Sequence, residues 1–139
     1  MSNSKVRAAL DTRLAQWQAA HTDVKISWEN VPSSSQESKF LTVRLVPNTV
    51  QNPSVGAYHE RYTGDYKLVL RVQNTSKGMK VSEQLAESLV SFFKRGDEFE
   101  FSGVHVHIDR SATVRTSFID GMYVATPIDI PYRSDIITL

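Results

Sequence analysis

The chain has 139 residues, too few for a cofactor domain beside a substrate domain, so a single domain over 1–139 is expected. It contains no cysteine, which excludes disulfides, zinc–cysteine sites, iron–sulfur clusters and a thiol nucleophile. Its 16 basic and 15 acidic side chains leave a net charge of +1, so the surface as a whole has no strong pull on nucleic acid or anionic lipid.

The first periodic segment spans about 4–20. Val6, Leu10, Leu14 and Trp17 recur every three or four residues, the spacing of one helical face, and Ser2, Asn3 or Ser4 supplies a cap. The start is polar, with no apolar signal core, and no apolar run approaches the ~20 residues of a membrane span. A soluble intracellular product is therefore expected.

Strands are expected over about 25–72. Lys25–Trp28 is a short one. A polar loop at 32–38 leads to Phe40–Val46, where Leu41, Val43 and Leu45 share a face. The connection 47–57 holds two prolines and two asparagines. From Gly64, the residues Tyr66, Leu68, Leu70 and Val72 alternate with Asp65, Lys67, Val69 and Arg71, the pattern of a half-buried strand.

A second helix is expected at about 79–94. Val81, Leu85, Leu89 and Phe92 form its inner stripe, Ala86 and Phe93 widen it, Lys94 and Arg95 sit in its last turn, and Gly96 stops it. The remainder, about 98–132, reads as strands. Phe99 and Phe101 share one face of the first. Val104, Val106 and Ile108 point inward from the next, opposite His105, His107 and Asp109. Val114, Thr116 and Phe118 belong to a third. Asp120-Gly121 marks a tight hairpin, and a last strand runs from Met122 to Tyr132 with Val124, Ile128 and Ile130 inward. The whole predicts an α+β domain: a mostly antiparallel sheet with two amphipathic helices packed on one face.

Pro127 and Pro131 stand four apart, so the two missing N–H donors lie on the same side of the last strand. That predicts a sheet edge along that side, either simply protected from pairing or turned toward a neighbouring subunit.

Candidate chemistry is sparse. His105, His107 and Asp109 share a strand face; that reads first as a solvated face opposite the Val104, Val106 and Ile108 core, although two imidazoles and a carboxylate so placed could bind a metal if suitably bent. His59 and Glu60 stand side by side, but neighbouring strand residues point apart. No Gly-x-Ser-x-Gly elbow or phosphate-cradling glycine loop occurs, and Asp97, Glu98 and Glu100 read as a solvated strand start. Arg61, Lys67 and Arg71 share one parity and Tyr62 and Tyr66 the other. A base-stacking platform needs both on one face, which here would take a bulge near Gly64 to reset the parity; a solvated face is the expected reading.

Several stretches resemble those of the small tail terminator-like proteins of long-tailed bacteriophages: the opening helix followed by Val24 to Val31, Phe40–Leu45, Arg61–Tyr66, the second helix ending Phe92-Phe93-Lys94-Arg95-Gly96, and Pro127–Asp135. The resemblance spreads over nearly the whole chain through short motifs. It implies a virion protein made in the host cytoplasm that forms a ring, typically a hexamer. The ring would cap the head-proximal end of the tail tube, stop its polymerisation, meet the head–tail connector protein and let DNA pass through its lumen without specific binding. No enzyme activity, cofactor or membrane contact is implied. Two unlike patches per subunit are needed to close such a ring. The candidates are Pro127, Pro131, Tyr132 and Arg133 on the last strand, and Pro47, Asn48, Gln51 and Asn52 with Arg61 and Tyr62 at the start of the long strand. The alternatives are another head–tail or tail completion protein, or a small metal-dependent enzyme using His105, His107 and Asp109.

Overall fold

A computed structural model describes residues 3–28, 38–52, 58–75, 77–101 and 103–138. The expected loop at 32–38 lies outside them except for Ser38, as do residues 53–57 of the second connection, the candidate cap Ser2 and the Glu29–Val31 stretch. Helix α1 (Asn3–Ala19) buries Val6, Ala9, Leu10, Leu14 and Trp17, the face its spacing predicts. Helix α2 (Gly78–Phe92) ends before Lys94 and Arg95, which therefore follow its last turn, and Gly96 turns the chain with φ +91°.

The strands are β1 (Lys25–Ser27), β2 (Lys39–Pro47), β3 (Tyr58–Gln73), β4 (Glu98–Phe101), β5 (Val104–His107), β6 (Thr113–Val114), β7 (Phe118–Asp120) and β8 (Tyr123–Thr138). They form one sheet in the order β1-β2-β3-β8-β5-β4, with β6 and β7 also paired to β8. Among the described residues only the β1–β2 pair is parallel. Tyr66, Leu68, Leu70 and Val72 of β3 and Val124, Ile128, Ile130 and Tyr132 of β8 are buried on one face. Both helices cover it. The Tyr66 hydroxyl donates to Asp11 of α1 at 2.5 Å, its ring lies 6.2 Å from that of Phe93, and Trp17 Nε1 donates to Ser88 of α2. Each fully buried leucine in this layer contributes about 1.5–3 kcal/mol. The domain is thus α+β, with its core between the sheet and the two helices.

Several details depart from the sequence reading. The buried stripe of α2 is Ser82, Ala86 and Leu89, continued by Phe93, while Val81, Leu85 and Phe92 are only half-buried. A serine belongs there because β8 presents Thr126 opposite, and the two hydroxyls bond at 2.7 Å. The long strand begins at Tyr58, with Gly64 inside it. Residues 113–120 form two short strands separated by 115–117. The hairpin is present, but its two linking residues are Gly121 (φ +61°) and Met122, since Asp120 already pairs with Tyr123.

The largest correction concerns the last strand. It runs to Thr138 and lies inside the sheet rather than at its edge, paired with β3 over all of its 16 residues. The prolines are tolerated there because the other flank is broken. Arg115 N–H donates to the Pro127 carbonyl at 2.9 Å, and in an antiparallel ladder a residue's C=O and N–H point the same way. The missing donors therefore face the β7, β6 and β5 flank. On that flank Pro127 falls between the pairs Phe118–Ala125 and Val114–Ile128, and Pro131 between Thr113–Asp129 and His107–Arg133. The donor rule held, but it marked gaps between short partners instead of an open edge.

Candidate assembly surfaces

The register carries the sequence-derived candidates to one place. Pro47 pairs with Gly64, Gly64 with Tyr132, Thr63 with Arg133 and Asp65 with Pro131. The chain leaving β2 is laced to β3: Asn48 N–H donates to the Thr63 carbonyl at 2.9 Å, and Gln51 and Arg61 exchange backbone bonds at 3.0 and 2.7 Å. Pro47, Asn48, Gln51 and Asn52 are exposed, Arg61 and Arg133 half-buried, and Tyr62, Pro131 and Tyr132 buried. Pro127, half-buried, lies farther along β8. Residues 47–52, the start of β3 and the part of β8 around Tyr132 and Arg133 therefore lie side by side. Tyr62 and Tyr132 support them from the core side.

Gly64 is required by close approach. A Cβ there would stand 2.4 Å from the Val46 carbonyl and 2.9 Å from the Pro47 Cα, both backbone atoms, and 2.7 Å from the Tyr132 hydroxyl. Among the described residues that buried hydroxyl has no hydrogen-bond partner. Burial, with Asp65 nearby, pushes its pKa up to about 12, against a smaller opposing pull from Arg7.

On the outer face, away from the helices, Asp135 gathers charges. It accepts from Arg61 Nε at 2.9 Å, lies 2.9 Å from His59 Nε2 and 3.2 Å from Arg133 Nε. Burial alone would raise its carboxyl. The hydrogen bonds from His59 and Arg61 and the nearby guanidinium charges outweigh that and hold it below the ordinary 3.8. His59 thus meets Asp135. Its chain neighbour Glu60 accepts from the Tyr62 hydroxyl at 2.8 Å, so His59 and Glu60 do not act together.

Lys67 and Arg115 converge on Asp129 at 3.9 and 2.5 Å, and Arg71 bonds Asp120 at 2.9 Å. Arg61, Lys67 and Arg71 do share a face, but Tyr62 and Tyr66 are buried on the opposite one. The β3–β8 pairing passes through Gly64 without a shift, so parity is kept. No stacking platform results. Sequence reasoning missed Asp129, Asp135 and Arg115. The odd positions of the two acids, opposite the odd-numbered cations of β3, were the available signal once the strand was extended past Tyr132.

His105 faces Glu98 and Glu100, each at 3.4 Å, and His107 faces Glu98 at 3.7 Å. Asp109 lies exposed beyond β5. Among the described residues no group of three or more His, Asp or Glu side chains is placed to hold a metal ion. An open groove of about 660 Å³ runs between α2 and β6, lined by Ala86, Val90, Val114 and Thr126 with Glu83 and Glu87. Thr126 is bonded there to both Ser82 and Ser117, each at 2.7 Å. No helix is long and apolar enough to cross a membrane among the described residues.

The sequence matches the family described as "Phage tail terminator protein" over residues 5–132. A solved structure superposes with a TM-score of 0.79 at 20% identity, covering 96% of this chain and 96% of that one. That likeness shows the fold. No curated protein matches the chain.

Proposed function

The chain belongs to the phage tail terminator family, whose role in tail assembly is structural, and from that premise we propose that it closes into a ring, typically of six copies, on the head-proximal end of the tail tube. There it stops tube polymerisation and offers its far side to the head–tail connector protein, while DNA passes through the lumen without specific binding. The family match over 5–132 carries this reading.

The molecule's physics supports it. A collar works by shape, and the sheet between β2 and β8 is a rigid platform with its core on one side. On the outer face Asp120, Asp129 and Asp135 hold cations in crossed pairs and offset part of their charge, which suits a conduit, since every unpaired cation facing a phosphate adds salt-dependent affinity.

Light scattering after size exclusion, with electron microscopy and a tube-growth assay, tests the reading. The expected result is a ring of six times the 15.7 kDa chain mass, alone or on tube ends, and tubes of limited length. Tubes that grow unchecked in its presence, with no ring alone or with tube protein, overturn it.

A further inference from the structure

The ring reading requires two unlike contact surfaces, and the candidates first drawn from the sequence lie side by side. The sheet supplies another pair. Its order ends in β1 on one side and β4 on the other. We propose that copies join by strand addition, the β4 edge of one copy against the β1 edge of the next, so that the sheet continues around the ring; this rests on the ring reading above.

The two edges match in direction. β1 runs parallel to β2, and each later step (β2 to β3, β3 to β8, β8 to β5, β5 to β4) is antiparallel. Four reversals leave β1 and β4 pointing the same way. Copies related by rotation about an axis along the strands keep both direction and face, so the junction is a parallel pair.

They also match in side chains, face by face. On the outer face β4 carries Glu98 and Glu100, exposed and opposite His107 and His105, while β1 carries exposed Lys25, opposite the outer-facing Phe40. On the core face β4 carries Phe99 and Phe101, the latter 40% exposed, and β1 carries Ile26 with Trp28 just beyond. In a continued sheet, Lys25 stands beside Glu98 and Ile26 beside Phe99. Opposite charges meet on one face and apolar groups on the other, the pairing that stabilises neighbouring strands. Two β4 edges brought together would instead oppose like charges. The contact is therefore heterologous, as a ring requires. Glu98 and Glu100 also face His105 and His107, but those histidines come from the β5 side and leave the outward edge to the next copy.

The cysteine-free chain makes the test clean. Neighbouring strands lie about 4.8 Å apart, within the Cα separation a disulfide spans. The Lys25→Cys/Glu98→Cys variant is oxidised at the concentration where wild type caps tubes. A ladder rising in one-subunit steps on a non-reducing gel, with each single-cysteine variant stopping at the dimer, is the expected result. No species beyond those dimers, in a variant with the wild-type circular dichroism, overturns the proposal. Charge exchange keeps the test open should the cysteine variant misfold. Lys25→Glu alone and Glu98→Lys/Glu100→Lys together each lose the assembled species, and the triple variant regains it; assembly unchanged in either partial variant overturns the proposal. Tube length reads the other question separately. A ladder without tube capping leaves the strand junction standing and removes the terminator reading, whereas capping without a ladder does the reverse.

Discussion

The two faces of β3 and β8 are held by different physics. On the helix side, even-numbered residues from Tyr66 to Val72 and from Val124 to Tyr132 are buried among aromatic and aliphatic side chains. On the outer side, odd-numbered residues form crossed charge pairs centred on Asp129 and Asp135. The same two strands therefore carry the apolar core of the domain on one surface and its crossed ion pairs on the other. Residues at the edges and on the outer side can change partner without emptying the core.

Substitutions can break or sharpen that contrast. The largest effect is expected from Leu68→Ala on the helix side, which leaves a cavity beneath both helices and costs about 2–5 kcal/mol by urea unfolding. Gly64→Ala follows, at about 1–3 kcal/mol, because its methyl meets the Val46 and Pro47 backbone and strands must part. On the outer side, Asp129→Ala leaves Arg115 and Lys67 without their shared acceptor and costs about 1–2 kcal/mol, less in high salt. A cost there equal to that of Leu68→Ala would erase the distinction between the faces.

Asp135 sharpens it through pH. Its carboxyl is held below the ordinary 3.8 in the folded state, so its contribution is present above the unfolded value and is lost as pH falls from about 4 through the folded value. Asp135→Asn is expected to flatten the melting temperature against pH in that acid range, a difference measurable by thermal melts from pH 5 to 2.5. Tyr132→Phe is expected to have the smallest effect at pH 7, within about 0.5 kcal/mol or slightly stabilising, because the buried hydroxyl gives up no hydrogen bond. Its folded pKa of about 12 means the wild type loses stability as pH rises from about 10 toward 12; the phenylalanine variant loses less, keeping only the contribution of Tyr62, whose pKa the Glu60 hydrogen bond also raises.

The sequence made local periodicity legible. The faces of α1, β2 and β3 follow from spacing alone, because each side chain's direction is fixed within a few residues. What escaped depends on remote partners. The proline argument correctly found that Pro127 and Pro131 withhold donors on one side. It could not know that the strands there would be β7, β6 and β5, each too short to need the missing bonds. Ser82 was passed over in favour of Val81 because its reason to be buried, the Thr126 hydroxyl, lies 44 residues away. The candidate surfaces were drawn as two because register, which joins Pro47 to Tyr132 through Gly64, is a property of the assembled sheet.

The place of β8 constrains how the molecule is made. It follows the other described strands of the sheet in sequence and stands between β3 and β5, so until it is synthesised the sheet exists as two unjoined halves, β1-β2-β3 and β4-β5. A nascent chain emerging at about 5–20 residues per second holds those open margins exposed for several seconds before the closing strand arrives. Folding therefore waits on long-range closure, and a chain stalled short of Tyr123 would present unpaired strands to whatever lies nearby.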